Sequence, residues 1–422
     1  MAKPINAIVQ QGTVTGVMDC GVCRFSAIPF AQAPIGALRF CPPQPAAWGG
    51  TLNATERGPV APQLPSRLRR AMGDFTAIQS EDCLHLTVWT PGVDQRRRPV
   101  LVWLHGGAWQ SGGGDQDWYS GAQLALRGDM VVVAPNYRLA ALGWLTVTGE
   151  TANVGLLDQE SALDWVHANI ESFGGDPERI TVMGQSAGAM SIACLLMRKP
   201  RFQQAIMQSA PLGRGFRSAK NANEIASIIL QAAGADSLDA ARHLSVEALL
   251  KAQQAPQVVD WLSAESTQRS LFAPVADGIV LPDAPDEILL KAAARADVIV
   301  GCNRDEMAAF PDMGIDERSH ALGEKIYCSP SRQWAASAAA QGRKAWSYRF
   351  DFRPTDSFGA CHCIELPFVF GTQAAFADAP MMRGIQQQDM TRLSANMQQY
   401  WIAFIREGNP GWEHSPYEKY FE

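Results

Sequence analysis

Apolar residues fall along this chain in two rhythms. Pro99 to Leu104 and Met130 to Ala134 are runs in which nearly every position is apolar, which predicts strands buried on both faces. Leu84 to Trp89, Arg179 to Met183, Gln204 to Met207, Asp297 to Gly301 and Trp346 to Phe350 read as further strands. Between them a helical spacing takes over. Asp158 to Ile170 has helical spacing, with Leu163, Trp165, Val166 and Ile170, and stops at Phe173-Gly174-Gly175-Asp176-Pro177. Ala187 to Met197, the Ala-rich stretch Ala222 to Gln254 and Thr391 to Arg406 also read as helical. Residues 6 to 26 alternate polar and apolar with Gly12, Gly16 and Gly21 at turns, which predicts a β meander. Residues 42 to 80 are Pro-rich and irregular. Strands alternating with helices predict an α/β architecture, a mostly parallel sheet with helices on both faces. No internal repeat, low-complexity tract or interdomain linker is evident.

Composition narrows the picture. The 422 residues suit one large α/β unit with excursions, or two domains. A net charge of −6 argues against nucleic acid or an anionic membrane as partner. The one tight basic cluster, Arg96-Arg97-Arg98, reads as a solvated loop. The start lacks a secretory apolar core, and no apolar run reaches membrane-spanning length. Nine cysteines, an odd number scattered through the chain, suit a reducing compartment rather than a disulfide framework. A cytoplasmic protein is therefore expected. Cys20-Gly21-Val22-Cys23 has no matching second pair and reads as a hairpin turn. Cys361-His362-Cys363 lacks partners to close a tetrahedral metal site. No metal or cofactor is expected.

The chemistry centres on Gly184-Gln185-Ser186-Ala187-Gly188, set between a strand and a helix. In that context the pentapeptide places a serine on a sharp turn with its hydroxyl exposed, a nucleophile elbow. A serine nucleophile needs a base, an acid to orient the base, and donors for the developing oxyanion. Leu104-His105-Gly106-Gly107-Ala108 follows a buried strand and leaves backbone N–H groups open to a ligand. Gly106 and Gly107, with Ala187 after the nucleophile, are the expected donors, and His105 is expected to hold the loop. The order serine, acid, histidine leaves His243, His320, His362 and His414 as bases. His362 lies in a loop of small residues, whereas His243 and His414 read as surface positions. Asp305 and Glu306, just past the strand Asp297 to Gly301, are both candidates for the acid, and residue chemistry does not choose between them.

With these parts in place the chain resembles the type B carboxylesterases, the cholinesterase-like α/β-hydrolases, and most of all their bacterial p-nitrobenzyl-esterase-like members. The likeness runs nearly end to end. It is carried by Phe25-Ser26-Ala27-Ile28-Pro29-Phe30-Ala31, Ser80-Glu81-Asp82-Cys83-Leu84-His85-Leu86, Asn136-Tyr137-Arg138-Leu139 and Asn153-Val154-Gly155-Leu156-Leu157-Asp158-Gln159. Pro274-Val275-Ala276-Asp277-Gly278 and Glu365-Leu366-Pro367-Phe368-Val369-Phe370-Gly371 continue it. The resemblance implies a single α/β-hydrolase domain over residues 1–422 and a serine carboxylesterase acting through an acyl-enzyme on Ser186. It selects Glu306 over Asp305 as the acid, selects His362 as the base, and supports Gly106, Gly107 and Ala187 as the oxyanion hole. The implied partner is a small-molecule ester, with no nucleic acid and no membrane; oligomeric state is not implied. Related acyl hydrolases (lipase, lactonase, carbamate or amide hydrolase) share these parts. A non-catalytic relative would have lost the nucleophile, which this chain keeps.

Departures from the family pattern carry expectations too. Gln185 stands where the family usually has glutamate, which should disfavour cationic substrates. Ala189 and Met307 replace common glycines. Ala61 stands where secreted relatives place the partner of Cys83, so that bridge is expected to be absent. Glu306 and His362 are 56 positions apart, closer than is usual, which implies a reduced cap over about 307–345. The chain also ends soon after Tyr417, where relatives continue to another strand. Trp109, Trp118, Gln185 and Met307 are the expected substrate contacts.

Overall fold

In the computed structural model, which describes residues 3–265 and 270–422, the two rhythms separate into a sheet and its covering layers. Strands β1 (Lys3–Val9), β2 (Gly12–Asp19) and β3 (Val22–Pro29) form an antiparallel meander. Cys20 and Gly21 make its second turn, both with positive φ, as a tight two-residue hairpin requires. The strands β4 (Gly50–Asn53), β5 (His85–Thr90), β6 (Arg98–Leu104), β7 (Val131–Pro135), β8 (Gly175–Gln185) and β9 (Gln204–Gln208) follow. A small separate pair, β10 (Arg217–Ser218) and β11 (Val275–Ala276), precedes β12 (Asp297–Asn303), β13 (Ala345–Phe350) and β14 (Glu418–Phe421). The main sheet runs β1-β2-β3-β5-β7-β6-β8-β9-β12-β13-β14, with β4 beside β2. From β7 onward every neighbouring pair is parallel.

The all-apolar runs have a simple cause. Val100, Val102 and Leu104 of β6 enter one core, packed with the helices Val154–Asn169 and Ala187–Met197. Leu101 and Trp103 point the other way, into a core shared with Leu393, Met397 and Trp401 of the helix Gln387–Glu407. Side chains alternate across a strand, so a strand covered on both faces has no solvent-facing position to leave polar.

Three expectations change. The Ala-rich stretch 222–254 is three helices, Ala219–Ala233, Leu238–Ala241 and Val246–Ala252. Gly234 ends the first in a left-handed conformation, and the hydroxyls of Ser237 and Ser245 cap the next two. The residues after Tyr417 do form a further strand, β14, parallel to β13. It lies at a sheet edge and buries only Phe421, so it lacks the apolar signature of the central strands. Finally, Cys302 and Cys328 are joined by a disulfide, with Cα atoms 5.3 Å apart. The turn of π-helix Glu324–Cys328 folds back against β12, a contact that cysteine spacing alone does not reveal. Cys83 is buried and unpaired. Among the described residues no helix is long and apolar enough to cross a membrane.

Candidate active site

β8 ends at Gln185, a helix begins at Ala187, and Ser186 between them has φ 55° and ψ −120°. L residues seldom adopt this backbone, and it persists only where the surroundings impose it. Here they do. The Ser186 N–H donates to the Gln208 carbonyl on β9 at 2.9 Å, and the Ser186 carbonyl accepts from the Met190 N–H at 2.9 Å. A Cβ on Gly188 would sit 2.0 Å from the Leu104 carbonyl oxygen, so only glycine allows the helix to cross β6 this closely. The half-buried Ser186 is thereby held at the C-terminal edge of the parallel strands.

The glycine-rich loop follows β6 beside it. His105 is buried, its ring stacked on Tyr137 with centroids 4.3 Å apart. The Tyr137 hydroxyl donates to the His105 carbonyl at 2.6 Å, and Nδ1 of His105 lies 2.8 Å from the Gly106 carbonyl. Burial lowers the His105 pKa to about 4, so the ring is neutral and braces the loop. A Cβ on Gly107 would meet the Ser111 carbonyl at 1.9 Å.

Opposite stands the loop carrying His362. Its Nδ1 is hydrogen-bonded to Glu306 Oε2, and both side chains are fully buried. The other Glu306 oxygen accepts the Asn303 N–H at 2.8 Å. With Nδ1–H donated to the carboxylate, Nε2 keeps its lone pair and lies 3.1 Å from the Gln185 side-chain nitrogen, which donates to it. The ring packs against Tyr327 and Phe310, with centroids 5.0 and 5.3 Å away. The two candidate carboxylates divide the work. Glu306 meets the ring. Asp305 accepts the Ala360 N–H at 2.9 Å while its own N–H donates to the Ala360 carbonyl, and Arg353 and His320 approach its carboxylate at 3.4 and 3.5 Å. His414 lies elsewhere, against Trp346.

Sequence reasoning missed one carboxyl. Glu365 is fully buried and accepts from Asn303 at 2.6 Å and Gln208 at 3.1 Å, and burial raises its pKa. A lone acid entering an apolar run three residues after His362 was the available signal.

A cavity of about 170 Å³ opens over Ser186 and His362. Gly107, Phe310 and Leu271 line it, as do Leu64 and Leu68 from the Pro-rich stretch. The expected tryptophan contacts are not on its wall. Trp109 has φ 58°, which turns its ring inward to pack on Trp144, and its indole donates to Ser191 Oγ at 3.1 Å. Trp118 donates to the Ala375 carbonyl at 3.0 Å, stacks on Phe376 and lines a different cavity. In both cases a buried indole N–H found its acceptor within the protein. Met307 packs with Ile326, Tyr327 and the disulfide, and Gln185 reaches His362 rather than the cavity wall. Among the described residues no group of three or more His, Cys, Asp or Glu side chains is placed to hold a metal ion.

The profile of the carboxylesterase family matches residues 5–326 and 316–421. The chain belongs to the carboxylesterase family. It is 37% identical to a probable N-octanoylanthranilate hydrolase of Rhodococcus erythropolis, over 98% of this chain and 95% of that one. It is 33% identical to the para-nitrobenzyl esterase of Bacillus subtilis, over 98% and 92%. It is 31% identical to the phenmedipham hydrolase of Pseudarthrobacter oxydans, over 99% and 92%. A solved PNB esterase superposes with a TM-score of 0.87 at 32% identity, covering 98% of this chain and 93% of the other. This family member therefore has the α/β-hydrolase fold and is a carboxylic ester hydrolase.

Proposed function

We propose that Ser186, His362 and Glu306 form the catalytic triad of this carboxylesterase. The observation that carries the assignment is the buried Glu306–His362 pair, whose ring shares one cavity with a serine on a strained strand-to-helix turn. Glu306 fixes the tautomer with Nδ1–H, so Nε2 is the basic nitrogen. For attack, Nε2 exchanges the Gln185 amide for the Ser186 hydroxyl and takes its proton. Ser186 Oγ adds to the ester carbonyl, and the N–H groups of Gly106, Gly107 and Ala187 receive the oxyanion. His362 returns the proton to the departing alcohol. Water, deprotonated by His362, then releases the acid and frees Ser186. Seven free cysteines beside one disulfide keep the cytoplasm as the proposed location.

The test is hydrolysis of p-nitrophenyl esters from acetyl to dodecanoyl by the wild type and by Ser186→Ala. The expected result is turnover of the short esters that falls by about 10⁴-fold or more in the variant. A folded Ser186→Ala protein with wild-type turnover rules out the assignment. The relative named for N-octanoylanthranilate makes an N-acyl substrate a useful addition to the panel.

A further inference from the structure

The cavity over Ser186 is unevenly charged. Besides His362, Arg67 is the one ionisable side chain among the described residues on its wall. The remaining polar wall is neutral and includes Gln110, Gln253 and Gln254. Among the described residues no carboxylate is ion-paired with Arg67. Arg67 is solvent-exposed; desolvation by the neighbouring protein and the like charge of Arg214 lower its pKa, and Tyr327 opposes them. A guanidinium stays protonated even so. Tyr327 packs on the His362 ring, with centroids 5.0 Å apart. Beneath the ring, the uncharged Gln185 adds no compensating negative charge. An exposed guanidinium on the cavity wall, with no carboxylate among the described residues ion-paired to it, offers an arriving carboxylate a bidentate donor without breaking an existing ion pair.

Size sets the direction. An apolar cavity of roughly 150 Å³ holds one benzene ring. About 170 Å³ therefore takes a ring or a short acyl chain among Leu64, Leu68, Leu271 and Phe310. The rest of a larger substrate must lie at the mouth. We propose that this carboxylesterase selects esters bearing a carboxylate away from the scissile bond, with Arg67 as the specificity-determining contact. The inference rests on the ester-hydrolase reading above.

The test compares 3-carboxyphenyl acetate with the neutral 3-carbamoylphenyl acetate. For each protein the ratio of kcat/KM values, anionic over neutral, is measured, so intrinsic reactivity cancels between variants. Arg67→Gln is expected to lower the ratio about tenfold, mainly through KM, and Arg67→Lys to restore part of it. Raising the salt concentration should lower the wild-type ratio, because a charge contact near solvent is screened. A ratio within twofold of wild type in Arg67→Gln overturns the proposal. If neither ester is turned over, the ester reading fails separately. The anion site is then read by calorimetric titration of Ser186→Ala and Ser186→Ala/Arg67→Gln with 3-hydroxybenzoate and 3-hydroxybenzamide. Preference for the benzoate that disappears with Arg67 supports the site; equal binding overturns it.

Discussion

The elbow at Ser186 and the loop at His362 meet over one cavity but are held by different forces. The elbow is built from backbone: Ser186 bonds to Gln208 and Met190, and Gly188 lies against the Leu104 carbonyl. The loop is built from buried polar side chains: Asp305 on Ala360, Asn303 on Cys361 and Glu365, Glu306 on the ring. Damage to the elbow is steric and should appear as lost folding. Damage to the loop is electrostatic and should appear first as lost rate.

The largest expected effect tests the loop. Glu306→Gln keeps the shape but removes the charge that supports an imidazolium, and kcat should fall about 10³- to 10⁴-fold. Steady-state kinetics on p-nitrophenyl butyrate measure it, and a loss below tenfold would remove Glu306 from its role. Its melting temperature should stay near wild type, in contrast to the next variant. Gly188→Ala forces a methyl group against the Leu104 carbonyl, and the stability loss should be about 3 kcal/mol. Denaturant unfolding reads this directly; an unchanged midpoint would mean that the elbow has slack.

Asp305→Ala should fall between the two. It leaves the Ala360 N–H without its side-chain acceptor and Arg353 without its carboxylate, at a cost of about 1–3 kcal/mol. The His362 loop should loosen, with a roughly tenfold lower kcat, and Asp305→Asn should recover part of both. Full activity in Asp305→Ala would show that Glu306 alone suffices to place the ring.

The smallest effect concerns pH. Burial lowers the pKa values of His85 and His105 to about 4, against about 6.5 unfolded. Between those values the unfolded chain binds more protons, so stability rises with pH across the window and is lost as pH falls from about 6.5 towards 4. His85→Asn removes one of the two groups. Its melting temperature should therefore drop less than wild type between pH 7 and pH 5. An equal drop would mean that His85 does not contribute to the acid sensitivity. The buried Asp115 and Glu365, whose pKa values burial raises, act in the opposite sense, which is why the comparison between proteins is decisive.

The same contrast explains what could be read in advance. The strands β6 and β7, the turn at Ser186 and the glycines after Leu104 were legible because each depends on residues adjacent in the chain. The separate roles of Asp305 and Glu306 depended on which way two neighbouring side chains point, and residue chemistry left that open until a family resemblance chose. The tryptophans misled because an aromatic residue in a glycine-rich loop carries no sign of the acceptor that will satisfy its indole.

The sequence by itself determined the parallel sheet, the elbow and the order of serine, acid and histidine, since hydrophobic period and backbone sterics act over a few residues. Only the tertiary structure decided the Cys302–Cys328 pairing, the Asp305 clamp, the buried Glu365 and the presence of Leu64, Arg67 and Leu68 beside Ser186. Those contacts join segments tens to more than a hundred positions apart. Chain packing sets their geometry, and no local pattern encodes it.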